Sequence, residues 1–304
     1  MNIASRIREL RSEQNLSQEQ LAGKVGVSRQ AVTKWETGAG VPDIENLAAL
    51  ARVFGVTVDE LLNGGSDAFA ANAYESVTAL DLVQEKNYDI EVGCARAVRL
   101  RAVEGEKLTV RLTSEAIEDL AGAVKVLVDT QGRNLDITVK SCGVVADSIL
   151  RHELDVLVDV PTAHAASAEI SLNARLCCVE GALMDVEVSG QADRVLLRDV
   201  EGHMELDLTG NTEVWAEGVT GKLDVNQISA VSALHLPKDT VFSARTKGHL
   251  GRRTLRFSQN GEPCESTAVD DAPLAIELAG ARVELTIDLV EGAQPGFEQL
   301  AAME

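Results

Sequence analysis

Two short amphipathic segments joined by a glycine turn constrain the fold of this chain more than any other feature. They occupy residues 16–35, with the sequence LSQEQLAGKVGVSRQAVTKW. Ser17, followed three residues later by Gln20, forms a capping box that predicts the start of one helix, and Ser28 offers the N-cap hydroxyl of a second. Gly26 stands where the chain must turn, because glycine adopts a left-handed backbone at low cost. The stretch therefore predicts two helices that meet at a tight turn.

Apolar and polar side chains separate onto two sides of these predicted helices. The apolar ones fall at helical spacing and predict one buried side, formed by Leu21, Ala22, Val25, Val27, Val32 and Trp35. The outward side chains of the second helix are Arg29, Gln30, Thr33 and Lys34. Arginine can bind guanine, glutamine can bind adenine, and threonine offers a methyl group to thymine. This face predicts a surface that reads DNA; the alternative is an ordinary helical hairpin with a solvated polar side.

Flanking segments complete a small helical domain. Apolar residues predict one helix before the pair and one after it, through Ile3, Ile7 and Leu10, and through Ile44, Leu47, Leu50, Ala51 and Phe54. Gly55 closes the latter helix, and Thr57 with Glu60 caps a fifth that carries Leu61 and Leu62. Five helices in about 65 residues are a plausible compact domain.

The strings SRQAVTKWETG, PDIENLAALARVFGV and DELLNG resemble the Cro/repressor-type helix-turn-helix domain of the xenobiotic-response-element (XRE) family of bacterial and phage regulators. The resemblance covers residues 2–64 and implies that the helix over residues 28–37 enters the DNA major groove. It also implies an ion pair between Arg11 and Glu36 that braces the first helix against the third. Gln18 is placed for a phosphate contact at a helix N-terminus. The predicted DNA-binding set is Gln18, Ser28, Arg29, Gln30, Thr33 and Lys34.

Charge is distributed unevenly along the chain. The whole sequence carries 28 basic and 48 acidic residues, a net charge of −20, which has the wrong sign for a generic nucleic-acid binder. Residues 1–34 carry six basic and three acidic side chains, a net charge of +3. An acidic remainder repels phosphate and leaves affinity for DNA to the N-terminal face. Because one small domain makes few phosphate contacts, we expect a homodimer on two half-sites about 34–36 Å apart, or a multiple of that distance.

The pattern changes after a flexible segment rich in glycine and small polar residues. We predict a DNA-binding domain over residues 1–64, a linker over 65–76, a β-domain over 77–290 and a C-terminal tail over 291–304. Short alternating runs rich in β-branched residues, such as residues 135–139 and 283–287, predict strands with one buried side. One brief helix is expected over residues 114–120.

A glycine-containing triplet, V-x-G, recurs in the β-domain at residues 179–181, 200–202 and 219–221. Each triplet precedes a short alternating strand, and Gly190 and Gly210 interrupt the first two units. A repeat of roughly 20 residues predicts a β-solenoid, in which each unit buries its aliphatic stripe on its neighbours. An antiparallel β-sandwich is the alternative architecture. Residues 75–290 also loosely resemble an adhesin-like β-solenoid domain of unknown function, which transfers no active site.

No catalytic or cofactor motif accompanies these patterns. The five histidines lack metal-ligand spacing, and no nucleophile elbow, Walker loop or dinucleotide fingerprint is present. We therefore predict a protein that is not an enzyme and has no metal or cofactor. Acidic side chains on the outward phase of the repeat strands predict a solvated face that protects the strands from aggregation; the alternative is a surface for cations or a basic partner. These side chains are Asp185, Glu187, Glu205, Asp207 and Asp224.

Cysteine usage and hydropathy indicate the compartment. The five cysteines show no C-x-x-C spacing, the N-terminus has no signal-peptide pattern, and no apolar run is long enough to span a membrane. We predict a cytoplasmic protein, without membrane association, whose thiols are reduced and mostly packed. Consecutive Cys177 and Cys178 should point to opposite faces of a strand, and burial is favoured over redox sensing by this pair.

Two functional classes follow. In the first, the protein is a sequence-specific transcription regulator that binds operator DNA, and repression is the default because a bound dimer can block polymerase. Its β-domain would then supply oligomerisation, partner contact or sensing of an effector that the sequence does not identify. In the second, the protein is a scaffold whose helix-turn-helix domain serves assembly.

Overall fold

A computed structural model describes residues 7–8, 10–11, 16–36, 40, 42–54, 74–248, 251–292, 295–297 and 300. The chain divides into two compact units, residues 1–72 and 73–304. The first unit is helical in its described part and the second is built of strands, so the predicted combination of a helix-turn-helix domain and a large β-rich domain is confirmed. The first strand begins at Tyr74, three residues before the predicted start of the β-domain.

The helical unit contains three complete described helices: α1 (Gln18–Val25), α2 (Arg29–Glu36) and α3 (Ile44–Phe54). Residues 7, 8, 10 and 11 are also helical. The capping box forms as predicted, because the Gln20 N–H donates to Ser17 Oγ at 3.2 Å and the Ser17 N–H donates to Gln20 Oε1 at 2.8 Å. Gly26 ends α1 with a left-handed φ of 86°. The predicted fifth helix lies outside the described residues.

The core of the helical unit contains most of the predicted apolar positions. Its buried members are Ile7, Leu10, Leu21, Ala22, Val32, Trp35, Leu47, Leu50, Ala51 and Phe54. Val25 and Val27, which were also predicted as buried, are partly exposed and pack against this core. Since Val32 and Trp35 fix the inner side of α2, the remaining side of that helix faces away from the core.

Seventeen strands are described in the β-unit. They are β1 (Tyr74–Asp81), β2 (Lys86–Val103), β3 (Lys107–Ser114), β4 (Val124–Gln131), β5 (Asn134–Ser141), β6 (Asp155–Pro161), β7 (Ala165–Glu180), β8 (Asp185–Arg198), β9 (Glu201–Leu208), β10 (Glu213–Glu217), β11 (Thr220–Ile228), β12 (Val231–Pro237), β13 (Phe242–Thr246), β14 (Arg253–Gln259), β15 (Glu262–Pro263), β16 (Leu274–Ala281) and β17 (Val283–Val290). All the runs predicted as strands lie in strands.

Most strand pairings are parallel and follow two rows. The first halves of β2, β7 and β8 stack in a first row with β5 on one side and β9, β11, β16 and β13 on the other. Their second halves stack in a second row with β6 on one side and β10, β12, β17 and β14 on the other. Described antiparallel pairs are confined to β1–β3, β3–β6, β4–β5 and β14–β15. Aliphatic side chains from both rows form one core.

Strand pairing in the first row repeats at a nearly constant interval along the chain. Ile170 pairs with Val188, Val188 with Leu206, and Leu206 with Val225, and all four side chains are buried. A parallel ladder in register stacks like on like, so each aliphatic position continues the core of the previous strand. The large β-rich domain is therefore established, whereas the solenoid stays a prediction that we take up below.

One member of the predicted V-x-G repeat is out of phase. Gly202 pairs with Gly221, so the second and third triplets are equivalent. Because Val186 pairs with Met204, the position that corresponds to Gly202 is residue 184, just before β8 and three residues after Gly181. Gly181 instead belongs to a corner, where it has a left-handed φ of 68° and its N–H donates to Arg198 O at 3.0 Å. A strand follows each triplet, as predicted. Gly181 lies at a corner between strands, whereas Gly202 and Gly221 lie inside paired strands, so the three glycines are not structurally equivalent.

The prediction of a helix over residues 114–120 is wrong. Ser114 ends β3, and its Oγ accepts hydrogen bonds from the N–H groups of Ala116 and Ile117, which favours a turn over a helix. A helical turn, α4 (Leu120–Ala123), begins only after the Asp119 cap. A second short helix, α5 (Asp147–Glu153), was not predicted.

The segment predicted as a tail covers the outer side of the second row. Phe297 and Leu300 are buried in a separate apolar cluster with Ala97, Leu176, Cys178 and Leu196. Cys177 lies in the main core, so the two consecutive cysteines do point to opposite faces of β7. Burial raises the pKa of the Cys177 thiol to about 12, which keeps it protonated and unreactive.

We expect Gly190→Ala to destabilise the β-unit by about 1–3 kcal/mol, the cost of a sparsely populated backbone conformation in a residue with a side chain. Gly190 has a φ of 106°, and a Cβ there would lie 2.1 Å from the carbonyl oxygen of Leu172. Urea unfolding of the full chain, followed by circular dichroism, measures the effect. Gly93→Ala is the control, since its Cβ would approach nothing closer than 3.7 Å. Equal midpoints for the two variants would contradict the prediction.

Candidate DNA-binding interface

The outer side of α2 carries the side chains predicted to read DNA. Arg29, Gln30, Thr33 and Lys34 are all exposed, while Val32 is fully buried on the opposite side. The helix therefore presents a cationic and amide-bearing face on a rigid, packed element. Ser28 immediately precedes this helix, and its Oγ accepts a hydrogen bond from the Ala31 N–H at 3.2 Å. Its hydroxyl thus acts as the N-cap in this structure.

A buried carboxylate connects this face to the preceding helices. Glu36 accepts hydrogen bonds from Arg11 Nε at 2.6 Å and Arg11 Nη2 at 3.2 Å, and the Glu36 side chain is only 3% exposed. Arg11 Nη1 donates to the carbonyl oxygen of Leu16 at 2.7 Å. The hydrogen bond to Glu36 raises the pKa of the Arg11 guanidinium. Arg11 therefore ties α2 to the residues just before α1.

Gln18 joins the same network from the start of α1. Its Nε2 donates to Glu36 Oε2 at 2.8 Å, and its Oε1 accepts from Thr33 Oγ1 at 3.1 Å. A glutamine amide has two N–H donors, so one donor is left for a phosphate oxygen. Thr33 Oγ1 also lies 3.0 Å from the carbonyl oxygen of Arg29. The network orients Gln18 and Thr33 before any ligand is present, which lowers the entropy cost of binding.

A second cluster of functional side chains lies in the β-unit, where the sequence showed no metal motif. His203, Glu205 and Asp224 each offer one ligating atom, and these atoms lie within 4.8 Å of one another. Parallel pairing of β9 with β11 brings them together, since Glu205 pairs with Asp224. Asp224 is buried, so its predicted place on a solvated face is wrong, whereas Asp185, Glu187, Glu205 and Asp207 have at least partial exposure. Only the strand register, which the sequence did not supply, could have revealed the cluster.

Comparison with known proteins places the helical unit in a family. The helix-turn-helix profile matches residues 7–61. The HTH-type transcriptional activator BcrR of Enterococcus faecalis is 47% identical over 64 residues, which cover 21% of this chain and 31% of the relative. An uncharacterised HTH-type transcriptional regulator of Archaeoglobus fulgidus is 39% identical over 59 residues, which cover 19% of this chain and 84% of the relative.

Two solved structures are similar to different parts of the chain. The P22 c2 repressor in complex with a synthetic operator is 36% identical and covers 21% of this chain and 97% of its own, with a TM-score of 0.21. A proposed cell adhesion protein from Clostridium sporogenes is 12% identical and covers 72% of this chain and all of its own, with a TM-score of 0.39. Among the described residues, no helix is long and apolar enough to cross a membrane.

The helix-turn-helix profile, the Archaeoglobus fulgidus relative and the geometry of α1 and α2 define a class of protein, the helix-turn-helix DNA-binding domains. The chain belongs, through its N-terminal unit, to the helix-turn-helix family of transcription regulators. The XRE-type resemblance is thereby confirmed. The chain spans about a third of the length of BcrR and just over half that of the Vibrio cholerae phage repressor RstR, to which it is 37% identical over 61 residues.

Arg11→Ala should destabilise the helical unit by about 2–4 kcal/mol, because it leaves the buried Glu36 carboxylate without its ionic partner. Urea unfolding of the full chain, followed by the helical circular dichroism signal, measures the loss. Glu36→Gln added to Arg11→Ala should restore part of the stability, since a neutral amide needs no counter-charge. Arg29→Ala is the matched control, and as a surface substitution it should stay within about 0.5 kcal/mol of the unsubstituted protein. Equal losses for Arg11→Ala and Arg29→Ala would contradict the bracing role.

Proposed function

We propose that this protein is a sequence-specific transcription regulator that reads the DNA major groove with α2. The observation that carries the proposal is the exposed row Arg29, Gln30 and Lys34 on a helix whose other side is locked by Val32 and Trp35. Arginine and glutamine offer the paired hydrogen-bond geometry that distinguishes guanine and adenine in the major groove. A packed helix holds these groups in position without a large ordering cost.

Gln18, Ser28 and Thr33 complete the proposed contact set. Gln18 is the first residue of α1, and a helix N-terminus is suited to a phosphate oxygen. Ser28 contributes through its cap, which fixes the first turn of α2, and Thr33 contributes its methyl group. Contacts to phosphate, such as the one proposed for Gln18, set the register of the domain on the duplex. Arg29 and Gln30 supply the sequence preference.

We further propose that the regulator acts as a cytoplasmic homodimer and as a repressor. Two copies are needed because a single unit of this size makes few phosphate contacts, and a bound dimer can block polymerase without further machinery. The relatives include both an activator, BcrR, and a repressor, RstR, so the sign of regulation rests on this physical argument. The family supports regulation of transcription without enzymatic activity.

The two parallel strand rows support the proposal that the β-unit is a solenoid. The pairing repeats at a nearly constant interval, and left-handed residues recur at one corner of the stack, at Gly181, Asp199 and Gly218. The Gly181 N–H donates to Arg198 O and the Asp199 N–H donates to Glu217 O, so these corners follow one another in register. An antiparallel sandwich would not produce such a ladder.

We propose oligomerisation or effector sensing as the role of the β-unit.

Alanine substitution of both Arg29 and Gln30 should abolish sequence preference. The full chain is first used to select duplexes from a random library, and fluorescence anisotropy then compares the selected duplex with a scrambled one. A paired base contact is worth about 1–3 kcal/mol, or roughly 5- to 150-fold in affinity, so the double variant, which loses two such contacts, should bind the selected duplex at least roughly 5-fold more weakly. Its affinity for the scrambled duplex should fall much less.

Lys24→Ala is the matched control for this experiment. Lys24 is an exposed basic side chain in the last turn of α1, at the opposite end of that helix from Gln18. Its removal should leave the ratio of the two affinities unchanged. If the double variant also keeps the ratio, or if no sequence is selected, α2 does not read DNA and the scaffold alternative gains support.

The homodimer should appear as two chains on each duplex that carries two selected half-sites. Sedimentation equilibrium with a labelled duplex measures this stoichiometry. Insertion of about 5 bp, half a helical turn, between the half-sites turns them to opposite sides of the duplex and should abolish joint binding. Joint binding that is indifferent to this insertion, or a single chain on a two-site duplex, would exclude a dimer of fixed geometry.

A further inference from the structure

A row of carboxylates runs across the outer side of the first strand row. Successive strands pair these residues directly, and the members in order of position are Asp136, Asp89, Glu169, Glu187, Glu205, Asp224 and Glu277. Neighbouring strands lie about 4.8 Å apart, so each carboxylate has another directly beside it. Like charges in such positions oppose folding unless cations offset them.

One end of this carboxylate row is neutralised by the protein itself. Lys222 Nζ lies 2.7 Å from Asp224 Oδ2 and 2.9 Å from Glu277 Oε2, and Arg245 and Lys247 also pair with Glu277. In the described part of the chain, the other five carboxylates make no ion pair. Burial, together with nearby Asp207, Glu205 and Glu169, raises the pKa of the Glu187 carboxyl. Negative charge is therefore in excess just beyond Lys222.

His203 stands at the junction between the neutralised and the unpaired parts of the row. Its Nε2 lies 3.0 Å from Asp224 Oδ2, and Glu205 completes a triangle of possible ligands. Two ligand atoms that bind one Zn²⁺ ion at about 2.0–2.2 Å in tetrahedral geometry lie about 3.3–3.6 Å apart. The 3.0 Å between His203 Nε2 and Asp224 Oδ2 is a few tenths of an ångström shorter, so a small shift of the partly exposed His203 ring would let an ion take the place of the hydrogen between them.

An independent feature of Asp224 also points to a cation. The residue is only 5% exposed, and its Oδ1 is buried without a hydrogen-bond partner among the described residues. A buried anionic oxygen with no donor is costly, and native structures rarely leave one unless a water or ion satisfies it. The histidine is more accessible, with 38% of its side chain exposed. A groove of about 120 Å³, lined in part by Glu187, Glu205 and His203, lies beside two of the three ligands.

We propose that His203, Glu205 and Asp224 bind a first-row transition-metal dication of the Zn²⁺ type. One imidazole and two carboxylates are ligands that Zn²⁺ accepts, whereas Ca²⁺ and Mg²⁺ prefer oxygen alone. Binding would add two positive charges next to Glu205, which makes no ion pair among the described residues, and would give the Asp224 carboxylate a cation in addition to Lys222. Lys222 already contacts Glu277 and can stay with it when the ion enters. The site is independent of the DNA-reading proposal.

Isothermal titration of the full chain with Zn²⁺ tests this site. Exposed Cys142 and Cys264 can also bind zinc, so every variant is made in a C142S/C264S background. We expect one saturable site, with an affinity that falls at least about tenfold in His203→Ala, because even the loss of an outer partner of a metal ligand costs that much. Glu205→Gln should weaken binding similarly, and circular dichroism verifies the fold of both variants.

His235→Ala is the matched control. His235 Nδ1 also faces a carboxylate, at 3.3 Å from Asp288 Oδ2, but Asp288 Oδ1 already accepts from Ser258 Oγ at 2.6 Å and from the Gly261 N–H at 3.0 Å. This variant should keep the affinity for Zn²⁺. The proposal is overturned if no saturable site is found, if folded His203→Ala and Glu205→Gln bind as before, or if His235→Ala loses as much. Zinc binding that persists after Arg29 and Gln30 are replaced would show that the two proposals stand separately.

Discussion

Parallel pairing in register is the constraint on which the large unit depends. It places each residue beside its counterpart on the neighbouring strand, so Val188 lies between Ile170 and Leu206 and each strand extends the core of the one before. The same rule stacks Glu187 between Glu169 and Glu205 on the outer side. This arrangement stabilises the fold where aliphatic side chains stack, because each one buries apolar area. It destabilises the fold where carboxylates stack, because like charges repel. Lys222, Arg245 and Lys247 offset this repulsion at one end of the carboxylate row.

The helical unit solves a similar problem within its own sequence. Its buried Glu36 is matched by Arg11 and Gln18, so the buried anion is satisfied before any ligand is bound. This leaves Arg29 and Gln30 on the surface with their donors directed away from the core. The buried side of α2 is thus held by packing and hydrogen bonds, while its exposed side keeps polar groups available for a ligand. Sequence-specific contact requires both features.

Local sequence signals predicted the helices and strands. The features that the sequence did not predict depend on which strands pair and in which register. The capping box at Ser17 and the period of the apolar residues located α1 and α2, since both signals are complete within one turn of helix. The V-x-G triplet at Gly181 misled because glycine tolerates a left-handed backbone both at a corner, as at Gly181, and inside a strand, as at Gly202. The cluster around His203 was invisible because Asp224 belongs to β11, the second strand after β9 along the chain, and only the register of β9 on β11 makes the two residues neighbours.

Charge magnitudes limit how the two units can influence each other. One bound dication would change a net charge of −20 to −18, a small fraction of the whole. At physiological ionic strength, exposed charges are largely screened beyond about 8 Å. A metal ion at His203 therefore changes the overall field of the protein only slightly. An effect of the ion on DNA affinity would require two arrangements of the chain that bind the ion unequally, and its magnitude would be the difference between the two binding free energies.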